Sequence, residues 1–399
     1  MNLLTFTTLY PSLARPRHGI FVETRLLQLL KSPDVKARVI APVPWFPFKH
    51  SRFGKYASFA KTPQHEVRSG VEVYHPRYAT VPGAAMYSQP FTLAAAGARQ
   101  LMALRTKGFE CDVIDAHYFY PDGVAAAHIA RRFAKPLVIT ARGSDINLLT
   151  ELAYPRRLIM WAAKQARTII TVSGALKNKL VGLGIDAERI VVLRNGVDLE
   201  LFRPMPQKVA RESLGMGDGP LMVSVGNLVP EKGHELAIEA LAELPEMHLA
   251  IVGEGPERDN LQRHAERQGL LQRVTFLPVR PQSELRLIYS AADVLMLTST
   301  REGWPNVLLE AMACGTPVVA ANVGGVPEIV TEAAAGCVVM ARNGTAFAHA
   351  VRAVLSKNHS REATRQVAQR FDWAATSRGQ LSVFASALSD FSGGAEAVA

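Results

Sequence analysis

TSTREGWPNVLLEAMACGTPVVA, residues 298–320, reads as the end of a buried strand, a loop, one short helix and the start of another buried strand. Pro305 stands where a first helical turn begins, its fixed φ suiting that position. Leu308, Leu309 and Met312 form an apolar face, and Gly315 followed by Pro317 stops the helix. A helix entered through a loop presents unpaired backbone N–H groups and a favourable dipole, so an anion such as a diphosphate can dock there. One strand–loop–helix–strand unit with both strands apolar throughout predicts a parallel sheet covered on both faces.

The same alternation extends outward through the chain. In the second half the pattern predicts strands at Leu221–Val225, His248–Val252, Val274–Leu277, Val294–Leu297, Val318–Ala320 and Gly336–Val339, with helices at Glu235–Ala242, Arg258–Gln268, Ser283–Ala291 and Val307–Ala313. In the first half it predicts strands at Leu3–Thr7, Ala37–Ala41, Val71–Tyr74, Val113–Ala116, Leu137–Thr140, Thr168–Val172 and Ile190–Leu193, and helices at Phe21–Leu30, Gly123–Phe133 and Arg157–Ala166. The fold class is therefore α/β, doubly wound. At 399 residues the chain exceeds one ordinary core, so two Rossmann-like domains are expected. RPMPQ after Phe202 is the natural break, giving domains at 1–203 and 204–372. A final helix over 373–390 could pack on either. Two such domains imply a cleft between them, with ligands at the carboxyl ends of the strands.

Composition narrows the class. Hydrophobic content of 48% and charged content of 20% suit a soluble globular chain, not a disordered one. No apolar run reaches the ~18 residues that span a bilayer, and the N-terminus lacks an export-signal pattern. Three cysteines (Cys111, Cys314, Cys337) cannot pair completely, and none sits at metal-ligand spacing from another, which fits a cytoplasmic protein. The net charge of +10 is uneven: residues 1–200 carry 27 Lys/Arg against 14 Asp/Glu, so an anionic partner should meet this half. With no basic helix or zinc module, nucleic acid is not expected. An anionic membrane surface or a phosphate-bearing acceptor fits better.

Particular residues carry candidate chemistry. Glu302 lies in the loop beside the expected anion, and Glu310 projects from the helix about 8 Å further along its axis. A carboxylate accepts from two vicinal hydroxyls at once, so one glutamate can hold a transferred sugar and the other a ribose. Backbone amides across Gly303, Trp304, Pro305, Asn306 and Val307, Pro305 contributing only its carbonyl, frame the phosphates. Lys232, in a Pro-Glu-Lys-Gly turn after a strand, can meet phosphate as a point charge. In the first half DVIDAHYFYPDGVAA (112–126) places His117 at a strand end, PRHGIFVE (16–23) places Gly19 before a helix, and VITARGSDINLL (138–149) places Arg142 and Asp145 after another strand. Taken singly, each glutamate is more ordinary as a solvated or capping carboxylate, Lys232 as a solvated lysine and His117 as a structural histidine, while a plain turn at Gly19 and a surface salt bridge at Arg142 are about as ordinary as the functional readings.

Glu302 and Glu310 with their spacing resemble the Glu-x7-Glu motif of retaining GT-B glycosyltransferases of family four, and the resemblance extends over nearly the whole chain. VSVGNLVPEKGHE (223–235), AIVGEGPERDNLQ (250–262), VTFLPVRPQSEL (274–285), VLRNGVDLELFRP (192–204) and GGVPEIV (324–330) match that family's segments in order. The resemblance implies a GT-B fold and transfer of a sugar, with retention, from a nucleotide-diphosphate donor, UDP favoured weakly. It implies that Lys232 grips the diphosphate, that backbone around Arg280 contacts the nucleobase, that His117 contacts the transferred sugar, and that Gly19 lets backbone approach the donor phosphate or the acceptor. Many relatives carry arginine where this chain has Asn227, which leaves part of the leaving-group charge unassigned. Arg142, where relatives often have histidine, is an acceptor-side cation by this reading, with Asp145 beside it.

No Asp-x-Asp motif occurs in the sequence, so no bridging metal and no cofactor is expected beyond the nucleotide-sugar co-substrate. VPWFPFKHSRFGKYASFAKTPQHEVR (43–68) interleaves aromatics with cations, as at a lipid interface. It favours a peripheral membrane enzyme with a lipid-linked or oligosaccharide acceptor. Transfer to a soluble small molecule, a GT-B relative of another reaction type such as a phosphorylase or a nucleotide-sugar epimerase, and sugar binding without catalysis remain the alternatives.

Overall fold

A computed structural model describes residues 1–80, 83–357 and 359–396. The chain divides into two units: residues 1–193 with 374–399, and residues 194–373.

The first unit is built on an eight-stranded sheet. Its strands, with a small two-stranded pair alongside, are β1 (Asn2–Phe6), β2 (Lys36–Ile40), β3 (Val43–Pro44), β4 (His65–Arg68), β5 (Val71–Tyr74), β6 (Arg77–Tyr78), β7 (Val113–His117), β8 (Leu137–Ala141), β9 (Thr168–Thr171) and β10 (Ile190–Val192). The sheet order is β10-β9-β8-β7-β1-β2-β5-β4, with β3 and β6 pairing separately. All neighbours are parallel except β4 with β5. Order reverses between β1 and β7, and at such a switch point chains leave in opposite directions and open a crevice at the carboxyl ends.

All five residues of β7 are buried because helices cover both faces. On one face Val22, Leu26 and Leu29 of the Ile20–Leu29 helix pack with Phe384 and Ala387 of the Trp373–Glu396 helix. On the other, Gly97 of the Ala85–Arg105 helix approaches Phe6 and Ile129 so closely that a Cβ would sit 2.6 Å from the Phe6 ring. The C-terminal helix is fixed by Arg25, whose Nε donates to Gln380 Oε1 at 3.0 Å and whose Nη1 donates to Leu193 O at 3.0 Å.

The second unit holds β11 (Leu221–Val225), β12 (His248–Val252), β13 (Val274–Leu277), β14 (Val294–Leu297), β15 (Val318–Ala321) and β16 (Gly336–Val339). The all-parallel order is β13-β12-β11-β14-β15-β16, the Rossmann arrangement with its switch point between β11 and β14. Met222, Leu249, Ile251 and Val319 pack under Leu241, Phe347 and Val351, all fully buried.

The structure draws the boundary ten residues before the 203/204 break. Val197 N donates to Phe371 O at 2.8 Å and Arg365 Nη2 donates to Leu199 O at 3.1 Å, so the chain from 194 onward is already hydrogen-bonded into the second unit. RPMPQ ends a segment inside that unit.

Candidate active site

The carboxyl ends of β11 and β14 bring the two best-marked loops together. After β11 the chain runs through Gly226 and Asn227 into a single 3-10 turn, Pro230–Lys232, then to the His234–Ala242 helix. After β14 it runs through Ser299 and Glu302 to the Asn306–Ala313 helix. Thr298 joins them: its Oγ1 donates to Lys232 O at 3.1 Å and to Gly233 O at 2.8 Å. Gly233 has φ +64, and a Cβ there would lie 2.4 Å from Thr298 O, so only glycine allows this approach.

Lys232 Nζ then meets Glu302 Oε1 at 2.6 Å, and Ser299 Oγ donates to the same oxygen at 2.7 Å. Lys232 retains partial contact with solvent, so the pair can be pulled apart by a ligand at modest cost. Gly324 at φ +52 is pressed against Glu302, where a Cβ would fall 1.9 Å from Glu302 O; the GGVPEIV loop thereby fixes the Glu302 backbone.

The helix beyond begins at Asn306, with Pro305 outside it in an extended conformation and no side chain capping it. Its first-turn N–H groups therefore have no side-chain acceptor, as anion binding needs. Asn306 is held by Asn195, whose Nδ2 donates to Oδ1 at 3.3 Å, and buried Trp304 donates from Nε1 to Asn195 O at 3.0 Å. Arg194 lies over the Trp304 ring at 5.8 Å and pairs with Glu328 at 2.6 Å.

Glu310 is buried, and Tyr289 Oη donates to its Oε2 at 2.8 Å. Burial raises its pKa to about 7, while the bonds from Tyr289 and Gln282 pull the other way. Gln282 opens the helix that follows Arg280, so the region expected at a nucleobase and the carboxylate expected at a ribose are neighbours. The Arg280 side chain itself turns to Glu284, 3.0 Å away. Asn227 is exposed, and its carbonyl, not its amide, is engaged, by Val229 N and by His234.

In the first unit His117 ends β7 but is withdrawn from solvent, 1% exposed. Arg142 Nη2 donates to His117 Nδ1 at 2.7 Å. A guanidinium has only donors, so Nδ1 is the bare nitrogen and Nε2 carries the proton. Nε2 faces Asp115 Oδ2 at 2.9 Å, a contact without hydrogen-bond alignment, since neither Asp115 oxygen has a hydrogen-bond partner. Burial is the main cause that lowers the His117 pKa to about 4, with Asp115 opposing it, so the ring is neutral.

Arg142 is buried against Phe21, 5.3 Å from the ring, and is not the surface ion pair that competed with the acceptor-side reading. Asp145, with no exposed surface, accepts from Phe119 N and Gly143 N at 2.7 Å each and from Arg142 N at 3.1 Å, so its carboxylate shapes the loop from inside. Gly19 has φ +71, and a Cβ would lie 2.3 Å from Leu9 O; its freedom is taken up by its own chain.

Several supporting residues escaped the sequence reading. His234 takes Ser224 Oγ at 2.8 Å and Asn227 O at 3.2 Å; the carbonyl can only accept, so Nε2 donates and Nδ1 accepts from Ser224. Its place directly after Lys232-Gly233 was the available signal. Asp115, two residues before His117 on one strand face, carried a period-two signal. Arg25 and Tyr289 carried none, since their partners are distant in sequence. Among the described residues no group of three or more His, Cys, Asp or Glu could hold a metal ion.

Comparison with known proteins identifies the family and the fold. The family described as Glycosyl transferases group 1 matches residues 207–371, and Glycosyltransferase Family 4 matches 25–201. A Bacillus subtilis protein named for teichuronic acid biosynthesis, TuaC, is 32% identical over 82% of this chain and 83% of its own. A D-inositol 3-phosphate glycosyltransferase of Mycobacterium leprae is 31% identical over 85% of this chain and 84% of its own. Among solved structures, sucrose-phosphate synthase of Thermosynechococcus elongatus has TM-score 0.80 at 21% identity, covering 96% of this chain and 99% of that one. Anabaena HepE in complex with UDP has TM-score 0.74 at 24% identity, covering 97% and 100%. The paired α/β units, the Lys232–Glu302 loops at the second sheet's switch point and these relatives place the chain in one group: it is a glycosyltransferase enzyme of the GT-B fold and belongs to family four.

Proposed function

We propose that the enzyme moves a sugar from a nucleoside-diphosphate donor, a UDP-sugar by preference, to an anionic acceptor, with retention and without a bridging metal. The observation that carries the reading is the 2.6 Å Lys232–Glu302 pair beside an uncapped helix start. A diphosphate at Asn306–Val307 draws Lys232 to itself, and Glu302, released from its ion pair, accepts hydroxyls of the transferred sugar. Glu310 accepts from the ribose. HepE, solved with UDP and with UDP-glucose, supports the uridine choice.

In the transfer, the bond from the anomeric carbon to the β-phosphate oxygen breaks while the acceptor oxygen bonds to the same face. The acceptor proton passes to the departing phosphate oxygen. Lys232 and the helix N–H groups stabilise charge where it develops, and no enzyme side chain becomes glycosylated. His117 and Arg142 serve the sugar and acceptor side as a neutral ring and a fixed cation.

The acceptor is a lipid-linked sugar or oligosaccharide met at a membrane. Trp45, Phe48 and Tyr56 are about half exposed or more, and Arg52 and Lys55 lie over neighbouring rings at 4.7 and 5.6 Å. No described helix is long and apolar enough to cross a membrane. The proposed association is by this aromatic-basic segment lying at the interface, on the cytoplasmic face. A second reading, a soluble phosphorylated acceptor, is favoured by the D-inositol 3-phosphate relatives.

The test is a panel of nucleotide sugars scored for thermal stabilisation and turnover, with the product's anomeric configuration read by NMR. Retention and turnover that survives EDTA are expected. Inversion, or full activity after Glu302→Ala, would sink the proposal. Replacing Trp45, Phe48 and Tyr56 by serine separates the acceptors: turnover of a membrane acceptor falls, while that of a soluble one does not.

A further inference from the structure

The first unit has a cavity of about 560 Å³ that the glycosyl-transfer reading leaves unused. It lies where the helices Val124–Phe133 and Ala153–Gln165 end and where β8 and β9 begin. Arg131, Lys135, Lys164, Arg167 and Arg189 line it, and no lining residue is acidic.

Basic side chains at helix C-termini have an ordinary role, since they complement the carbonyl end of the dipole. That accounts for Arg189, whose Nη2 donates to Ala163 O at 2.9 Å and to Ala166 O. It does not account for the rest. Lys135 is 3.7 Å from Glu110, Arg167 lies over Phe391 at 5.4 Å, and neither Arg131 nor Lys164 has an ion pair or hydrogen bond among the described residues. Glu110, which pairs more closely with Arg105 at 2.7 Å, cancels at most one of the five charges, and two helix ends together cancel about one more. About three positive charges remain uncompensated around one concavity.

We propose that this cavity is a second anion site, built for a phosphate- or diphosphate-bearing ligand and separate from the Lys232 loop. Two guanidinium groups, Arg131 and Arg167, offer paired donors to phosphate oxygens, and Lys164 adds a mobile point charge. The site is not the acceptor end of the same unit. β8 runs from Leu137 at the cavity to Ala141 next to Arg142, so the two ends are about 13 Å apart along the strand. Because the cations are largely exposed, exchange is fast and affinity falls steeply with salt.

The ligand's source is either a soluble phosphate compound or a phospholipid headgroup. To isolate the cavity, inorganic pyrophosphate is titrated calorimetrically into the full chain carrying Lys232→Ala at low ionic strength. One saturable site is expected. Adding Arg131→Glu and Lys164→Glu weakens it at least tenfold, and the milder Arg131→Gln with Lys164→Gln gives a smaller loss. Absence of a site in Lys232→Ala overturns the proposal, as does unchanged affinity in the glutamate variant with native circular dichroism and melting. Cosedimentation with phosphatidylglycerol or phosphatidylcholine vesicles assigns the source. Anionic-vesicle binding lost in the variant and competed by pyrophosphate marks a headgroup; pyrophosphate binding without such vesicle binding marks a soluble ligand.

Discussion

At the end of β14 a carboxylate and an ammonium meet at 2.6 Å in partial contact with water, whereas at the end of β7 a carboxylate, an imidazole and a guanidinium lie packed out of it. The first group is made by two short loops of one sheet, each fixed by glycine approaches and backbone bonds. The second needs Arg25 from a helix, Asp115 and His117 from β7, Arg142 from beyond β8 and Gln380 from the C-terminal helix. The difference separates a site that ligands can rearrange cheaply from one whose charges must stay balanced for the unit to fold.

That contrast is tested most severely at Arg25. Its guanidinium has almost no exposed surface, and the neighbouring Asp115 charge has no hydrogen-bond partner. Removing one member of a buried charged group typically costs about 3–5 kcal/mol, because the other charge is left uncompensated. Arg25→Ala should lower unfolding free energy by that amount in urea titration, and Arg25→Ala with Asp115→Asn should recover part of it. A loss below about 1 kcal/mol would mean that the buried group is not held by mutual charge balance.

The open pair should behave the other way round. Lys232→Ala or Glu302→Ala should reduce turnover by roughly a hundredfold or more, as when one charge-stabilising donor is lost. Stability should change by less than about 1 kcal/mol, since partly exposed ion pairs contribute little. The KM-against-kcat split and a melting curve on one preparation decide it; a large fall in melting temperature would break the contrast.

The pH dependence sharpens it. Burial raises the pKa of Glu310 from its ordinary 4.5 to about 7, so between these values the folded chain binds more protons than the unfolded one. Stability therefore falls as pH rises from about 4.5 to 7, by an order of about 3 kcal/mol, and Glu310→Gln should abolish that loss. His117, lowered from 6.5 to about 4, has the opposite sign: the unfolded chain binds more protons, and stability rises with pH over that window. His117→Gln should flatten the rise. If ionised Glu310 holds the ribose, as proposed, donor binding releases a proton, and affinity should tighten through pH 7.

Legibility in the sequence follows the same division. Every expected strand is present, because strands buried on both faces are apolar runs, unbroken in Val294–Leu297. The antiparallel edge strand His65–Arg68 was not expected; one side of it faces solvent, and its residues are mostly polar. The Ala85–Arg105 helix was hidden by Pro90, Gly97 and a run of alanines that blur the apolar stripe. At the site, Lys232, Glu302 and Glu310 were readable because each chemistry sits inside one local strand–loop–helix. The burial of His117 and Arg142 was not readable, since Arg25 and Gln380 are 355 residues apart and only the packed sheet brings them together.

The smallest expected effect concerns Asn227, an uncharged position in the proposed donor loops. Asn227 follows β11 by two residues, is exposed, and contributes only its carbonyl to the loop, to Val229 N at 3.0 Å and to His234 Nε2 at 3.2 Å. An arginine there keeps those backbone bonds and needs no core space, so folding should be unaffected. If diphosphate charge is shared by Lys232 and the helix start alone, a second cation in that loop should stabilise the leaving group by about 1 kcal/mol, a several-fold gain in kcat/KM for the donor. The gain should shrink as salt is added, because an exposed guanidinium is screened within about 10 Å at 0.1 M ionic strength. Unchanged kinetics in Asn227→Arg would mean that another cation already fills the role. Arg194, stacked on Trp304 at 5.8 Å and paired with Glu328, is then the residue to remove next, and its loss should be rescued by the arginine at 227.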